Sequence, residues 1–386
     1  MSIDLILGTR PEVTKAATVI RELGVRCRSR PRILFTGQQT TLVVQTHEAL
    51  ELGKFAEIVW LGDPLQVGTD KSWRHRLSPL LSTVFWLNEK PSLVATVGDT
   101  DSATLGVEVA TALNVRVAHL EAGIRHTRSQ YFIEPEEKNR RHISKLATFH
   151  LAPFLEQRDN LLKEGISADA IRICGDLSIC AVTHALTDLR RLIANEELDP
   201  PSPLDANDEY IICTFHRSTS LLFQEDLVQR LVETVRFFGR KKFVLVTRTD
   251  TRWEPFVRIL SSLENVTVFP ALDPTIMGYA IAFSHFVITD SAGVQQEALA
   301  LGKQVVACRE DVELYQNNPL LQVVRPPFRR LLPVVAQISD AGSVSCPPSE
   351  CRKIIETGNS TAESYALALI EFANDAQRSS DELTPS

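Results

Sequence analysis

Short apolar runs alternate with amphipathic stretches along most of the chain. "IDLILG" (3–8) reads as a buried strand closed by a glycine. "PEVTKAATVIRELG" (11–24) follows as a helix, with Val13, Ala16, Ala17, Ile20 and Leu23 on one face and Gly24 as its expected stop. "PRILFTG" (31–37) and "SLVATVGD" (92–99) are strands, "SATLGVEVATALN" (102–114) is a helix, and "VRVAHLEAG" (115–123) and "FHLAP" (149–153) are strands again. A second series starts at "EYIICTFH" (209–216) and runs through "EDLVQRLVETVRFFG" (225–239), "KKFVLVT" (241–247), "NVTVFPAL" (265–272), "HFVITDS" (285–291), "GVQQEALALG" (293–302) and "KQVVACRE" (303–310). Repeated strand–helix units predict parallel sheets covered by helices on both faces. The expected fold class is α/β, with two doubly wound domains facing each other and ligands bound at the carboxyl ends of the strands.

The domains are expected at 1–175 and 176–386, the last helix being a candidate to cross back. "LIANEELDPPSPLDANDEY" (192–210), rich in Pro, Asp and Glu, reads as an exposed loop near the boundary, and the polar tail "AQRSSDELTPS" (376–386) as a frayed end. The length of 386 residues gives each half enough chain to bury a core, and 44% hydrophobic with 23% charged residues is ordinary globular composition. A net charge of −7 argues against a general nucleic-acid partner. An acidic chain that binds a phosphorylated ligand has to gather its cations locally. The seven cysteines are scattered without a C-x-x-C pair, so reduced, buried thiols and a cytoplasmic location are expected. The opening "MSIDLILGTRPE" lacks the basic flank of a signal peptide, and no apolar run is long enough to span a membrane.

Six segments carry candidate chemistry, each at or just after a strand end. In "LGTRPEVTK", Pro11 starts a helix, and Arg10, Lys15 and the first backbone N–H groups could hold a phosphate, or form an ordinary strand–helix turn. "VGDTDSAT" places Asp99 after an apolar strand; Asp99-Thr100-Asp101 is also a D-x-D pattern, but a helix cap from Asp101 or Ser102 is the commoner use and no metal is expected. In "VAHLEAGIRH", Glu121 leaves a buried strand partly desolvated, which raises a carboxyl pKa, unless Arg125 or His119 pairs with it; His119 itself suits a structural hydrogen bond better than a base. In "FIEPEEKNRRHISK", Pro135 starts a helix with Glu136 and Glu137 in its first turn, while Asn139 and Arg140 share a face with Glu136. "ICTFHRSTS" offers His216 and Arg217 for anion binding or for a turn at the surface. "VITDSAGVQQEALALGK" presents Ser291, Gly293 and the first helical amides to a diphosphate, with Glu297 in reach of a ribose.

In order, "GTRPEVTK", "TGQ", "GDT", "HLEAGIR", "PEEKNRR", "FHR", "TDSAGVQQEALALGK" and "REDVE" resemble the bacterial UDP-N-acetylglucosamine 2-epimerase family, from about residue 5 to residue 310. The resemblance implies a GT-B-like fold of two Rossmann-like domains with the nucleotide in the cleft between them. It implies elimination of UDP across C1 and C2 of the sugar and its re-addition after reprotonation from the other face, which interconverts the gluco and manno epimers. Proton transfer then falls to Asp99, Glu121 and Glu136 with His216. Substrate contacts fall to Arg10, Lys15, Arg140, Arg217, Ser291, Gly293 and Glu297. The substrate is a UDP-sugar, no metal or nicotinamide is required, and a homodimer is the family's habit.

The chain departs from the family at Gly37-Gln38-Gln39, where Gly-Gln-His is usual, at His216-Arg217-Ser218-Thr219, at Ser291-Ala292-Gly293-Val294-Gln295-Gln296-Glu297, and after Arg309. The first of these regions belongs to an activating second nucleotide site in family members. Three alternatives share the motifs. One is a hydrolysing epimerase, or an epimerase of a modified UDP-sugar; the others are a GT-B glycosyltransferase and a nucleotide-sugar-binding regulator. The "GTRPEVTK" segment resembles the non-hydrolysing branch more closely.

Overall fold

A computed structural model describes residues 1–61, 73–87, 90–126, 134–194, 204, 209–215, 223–247, 253–340 and 348–381. The chain divides into two compact units, Met1–Ala181 with Thr357–Ser386, and Val182–Glu356.

The first unit is built on a seven-stranded sheet. Its strands are β1 (Ile3–Leu7), β2 (Arg32–Phe35), β3 (Glu57–Trp60), β4 (Leu93–Val97), β5 (Val117–Leu120), β6 (Phe149–Ala152) and β7 (Ile171–Ile173). The order is β3-β2-β1-β4-β5-β6-β7, and every pairing is parallel. The helices are α1 (Arg10–Arg26), α2 (Thr40–Ala49), α3 (Trp73–Leu87), α4 (Asp101–Ala112), α5 (Pro135–Leu146) and α6 (Leu155–Lys163). β1 and β4 are buried throughout, as expected for central strands with both faces covered. Alternate residues of these strands serve different cores. Leu5, Leu7, Ala95 and Val97 join Val13, Ala16 and Ile20 of α1, whereas Ile6 and Val94 join Ala103, Leu105 and Val107 of α4. α1 and α4 therefore cover opposite faces of the sheet, and the strand order reverses between β1 and β4. Such a switch point opens a crevice at the carboxyl ends of the two strands.

Two local features differ from the pattern on the sequence. Gly24 does not stop α1, which continues to Arg26. A Cβ at Gly24 would lie 2.5 Å from the Phe55 carbonyl oxygen, so the glycine marks a close approach rather than a helix end. Asp4, within the interior strand β1, is fully buried; its register partner Arg32 meets it with two hydrogen bonds of 2.8 and 2.6 Å.

α7 (Leu177–Ala194) carries the chain into the second unit. That unit's sheet has six parallel strands in the order β10-β9-β8-β11-β12-β13. They are β8 (Tyr210–Thr214), β9 (Lys242–Val246), β10 (Val266–Phe269), β11 (Val287–Thr289), β12 (Val305–Cys308) and β13 (Leu321–Val324). The accompanying helices are α8 (Gln224–Phe237), α9 (Glu254–Ser261), α10 (Pro274–Phe283), α11 (Ala292–Ala300) and α12 (Leu331–Asp340). Here the order reverses between β8 and β11, and α11 starts directly after β11.

α13 (Pro348–Asp381) returns the chain to the first unit. The polar tail expected to fray continues this helix as far as Asp381. Ala362, Tyr365, Leu369 and Phe372 are buried in the core of α1, β1 and β4, and the Phe372 ring stacks on Phe149 at 3.8 Å. Replacing Phe372 by Ala removes that aromatic surface from a closed core. Urea unfolding monitored by circular dichroism should show a loss of about 3–5 kcal/mol; a loss below about 1 kcal/mol would mean that the returning helix is not part of the first unit's core.

Candidate active site

The crevice at the β1/β4 switch point is a cleft of about 340 Å³, lined among others by Glu12, Lys15, Asp99, Glu121 and Glu136. Each lining element owes its place to local sequence. Pro11 occupies the first turn of α1 and sets Lys15 one turn further in. Gly98, at φ +69°, turns the chain out of β4 and presents Asp99. Pro135 opens α5 and places Glu136 in its first turn, where the helix dipole favours a carboxylate.

Glu121 follows β5 in the left-handed region at φ +62°, a conformation that costs a residue with a side chain about 1–2 kcal/mol. It is almost completely buried, and Lys15 Nζ donates to its Oε1 at 2.7 Å. Burial raises the Glu121 carboxyl pKa above the usual range, with Lys15 opposing the shift. Burial works against the Lys15 ammonium as well, yet Glu121, Asp176 and Asp99 together carry its pKa above the ordinary lysine value. Lys15 is therefore a cation at neutral pH despite its seclusion.

Asp99 is held by Arg140, whose Nη2 lies 2.5 Å from Oδ2, and Asn139 Nδ2 donates to the Asp99 carbonyl at 2.9 Å. The first turn of α5 thus closes on the β4 loop. Behind it, the fully buried Glu137 pairs with Arg141 Nε at 2.8 Å and accepts the His126 N–H at 3.1 Å. Glu136 is exposed at the cleft wall. His119 Nε2 donates to the Gly98 carbonyl at 2.7 Å, and burial pushes its pKa down to about 3. It is a neutral, structural histidine, as the sequence suggests. Arg125 turns away from Glu121 to Glu164 and Ser144, so the partner of Glu121 is Lys15.

Several amides at the starts of α1 and α4 already have partners within the chain. Gly8 N and Thr9 N donate to Glu12 Oε2 at 2.9 and 2.7 Å, and Arg10 N donates to Gln39 Oε1 at 3.1 Å. At α4, Ser102 N donates to Gln38 Oε1 at 3.0 Å and Ala103 N to Thr100 Oγ1 at 3.1 Å, so Thr100 is the cap rather than Asp101 or Ser102.

In the second unit, Ser291 caps α11, with Oγ accepting from Val294 N at 3.4 Å, and Gly293 and Glu297 lie in the same helix. A Cβ at Gly293 would meet nothing closer than Ser291 Oγ at 3.9 Å. His216 and Arg217 lie outside the described residues.

Three residues that sequence reading passed over belong with the site. Glu12 and Gln38 hold helix starts along the cleft. Asp176, nearly buried, acts electrostatically on both Lys15 and Glu121. A signal for Asp176 was present: "CGD" (174–176) repeats the strand–Gly–Asp pattern of "VGD" (97–99), and Gly175 has a positive φ of +99° like Gly98.

Fold and site together define an α/β protein with carboxylates and cations gathered at a topological switch point. The sequence profile of the UDP-N-acetylglucosamine 2-epimerase family matches residues 27–317, and the chain belongs to that family and is an isomerase. The UDP-N-acetylglucosamine 2-epimerase of Neisseria meningitidis serogroup A is 27% identical over 318 residues, covering 81% of this chain and 84% of that protein. That of Salmonella typhimurium is 30% identical over 323 residues, covering 81% and 83%. The crystal structure of the N. meningitidis UDP-GlcNAc 2-epimerase bound to UDP-GlcNAc superposes with a TM-score of 0.79 at 25% identity, over 96% of this chain and 98% of that one.

Two outcomes are expected from the buried groups. Lys15→Met leaves Glu121 as an unpaired buried carboxylate and should lower stability at pH 8 by about 3–5 kcal/mol, whereas Lys15→Met with Glu121→Leu should recover most of that in the same urea titration. An equal loss in both variants would remove the pair from its structural role. For His119, the unfolded chain takes a proton near pH 6.5 and the folded one only near 3. Between those values the unfolded state holds the extra proton, so stability rises with pH. His119→Gln keeps an N–H donor and removes the titration. Its unfolding free energy between pH 4 and 6 should be flatter by about one proton, or roughly 1.4 kcal/mol per pH unit. A slope equal to that of the wild type would mean that the folded histidine is charged.

Proposed function

We propose that the protein interconverts UDP-N-acetylglucosamine and UDP-N-acetylmannosamine by elimination and re-addition of UDP. The observation that carries this reading is Glu121: a buried carboxylate in a strained backbone conformation, bonded to a lysine, within one cleft that also holds Asp99 and Glu136. Strain of this kind persists where the surroundings over-determine it, commonly at active sites.

C2 of the sugar is not flanked by a carbonyl, so its hydrogen is too weakly acidic for simple deprotonation. In the proposed reaction a carboxylate takes the C2 proton while the C1–O bond to UDP breaks. The C–H electron pair becomes the C1=C2 double bond, and the electron pair of the breaking bond leaves with the β-phosphate. A proton then returns to C2 from the opposite face and the UDP oxygen re-adds at C1. Asp99, Glu121 and Glu136 supply the proton-transfer groups, with His216 as the further catalytic candidate. Arg10, Lys15 and Arg140 stabilise the charge that develops on the leaving diphosphate. Arg217, Ser291, Gly293 and Glu297 contact the nucleotide. The raised pKa of Glu121 suits a group that must both hold and release a proton. No step in this scheme calls for a metal or a nicotinamide.

Incubation with UDP-N-acetylglucosamine in deuterated water should yield UDP-N-acetylmannosamine with deuterium at C2. Free N-acetylmannosamine with UDP would instead identify the hydrolysing reaction, and transfer to an added acceptor a glycosyltransferase. Asp99→Asn, Glu121→Gln and Glu136→Gln should each lower turnover by roughly 10²–10⁴. Near-normal rates in all three would refute the assigned roles.

A further inference from the structure

β1 and β4 lie side by side with Leu5 opposite Ala95 and Ile6 opposite Thr96, and the chain then leaves them toward opposite faces of the sheet. One loop carries Arg10 and leads to Lys15; the other carries Asp99. In the reaction proposed above, the cations of the first loop and the carboxylate of the second have to act on adjacent atoms of one sugar phosphate. Something must fix the separation of two loops that diverge.

We infer that Glu12 is a positioning residue for the reaction, tying the β1 loop to the β4 loop across the switch point; this rests on the epimerase reading. Its two carboxylate oxygens serve different loops. Oε2 accepts from Gly8 N at 2.9 Å, Thr9 N at 2.7 Å and Thr9 Oγ1 at 2.9 Å, while Oε1 accepts from Thr100 Oγ1 at 2.6 Å. A capping box needs only the reach back to the Thr9 N–H; the bond to Thr100 is additional and crosses to the residue beside Asp99. The carboxyl is 3% exposed yet lines the cleft with Asp99, Glu121 and Glu136.

Gln38 and Gln39 close the same belt on its other side. Gln39 Oε1 takes the Arg10 N–H, and Gln38 Oε1 takes Ser102 N and Ser102 Oγ, the latter at 2.6 Å. Thr36 Oγ1 bonds Ser102 Oγ at 2.6 Å, and a Cβ at Gly8 would strike these same two hydroxyls at 1.9 and 2.2 Å. The starts of α1, α2 and α4 are thus held by one ring of side chains with no slack at Gly8. Within that ring the short links across the switch point itself run through Glu12. Burial pushes its carboxyl up to about 7 against four hydrogen bonds that hold it down.

The test compares Glu12→Gln, Thr100→Val and Thr100→Ser in the full-length protein with two readouts. The first is hydrogen–deuterium exchange well below the unfolding temperature. In Glu12→Gln, exchange should speed up in the segment 98–104 as well as in 8–14. Loosening confined to 8–14 would make Glu12 a cap of α1 only and overturn the inference, whatever the enzyme's activity. The second is kinetic, with UDP-N-acetylglucosamine as substrate. Glu12→Gln and Thr100→Val should lower kcat about 10–100-fold with KM within about threefold, since misplacement near 1 Å can cost that much. They should also release more of the free C1=C2 unsaturated sugar per epimer formed, a ratio independent of how much enzyme is folded. Thr100→Ser, which keeps the hydroxyl, should stay within about twofold of wild type. Wild-type kcat and partition in Glu12→Gln and Thr100→Val, with only a lower unfolding midpoint, would also overturn the inference. A wild-type enzyme that forms no epimer would fail the functional reading instead, leaving the exchange result to decide the role of Glu12.

Discussion

The buried contact between Lys15 and Glu121 is the interaction on which the site depends. Neither charge could be removed from water alone at tolerable cost. Paired at 2.7 Å, they fix the second turn of α1 to the end of β5 across the intervening β4, which lies between β1 and β5 in the sheet. Glu121 makes this bond from a left-handed backbone conformation, at φ +62°. A strained, desolvated acid beside a permanent cation can change its protonation state while the surrounding charge stays fixed.

Around that pair, the acidic and basic groups are sorted by depth. Glu137 and Glu12 are buried and spend their oxygens on helix starts and arginine, so they organise the frame. Asp99 and Glu136 are more accessible and border the open part of the cleft. The charged residues at the start of α5 divide between the helix and the cleft. Glu137 and Arg141 form the stabilising pair of a helix, whereas Arg140 reaches out of the helix to Asp99. One turn of chain can do both because successive residues point in different directions from the helix axis.

A helix start can offer N–H groups to a phosphate, but at α1 and α4 Glu12, Gln38, Gln39 and Thr100 take several of those donors. Amides bonded to protein oxygens stay rigid. Lys15 and Arg140 are held as well, by Glu121 and Asp99, so the cations of the cleft are set in place before any ligand arrives.

Much of the architecture was legible in the chain. Apolar runs mark β1, β4, β5, β8, β11 and β12, the first three closed by glycine, because central parallel strands must be apolar on both faces. β3 and β7 escaped notice because they are edge strands of four and three residues, with partly exposed positions that break the run. Gly24 misled because a glycine needed for a close approach to Phe55 looks the same as one that ends a helix. The motifs located Asp99, Glu121, Glu136, Lys15 and Arg140, since each follows a strand end or a helix-opening proline. What only the tertiary structure decided is who meets whom. Lys15 and Glu121 are 106 positions apart, and Glu12 and Thr100 are 88 apart. A sequence shows which groups are titratable and where strands stop. Only the packed sheet, by its strand order, decides which strand ends become neighbours and which charges are taken out of water together.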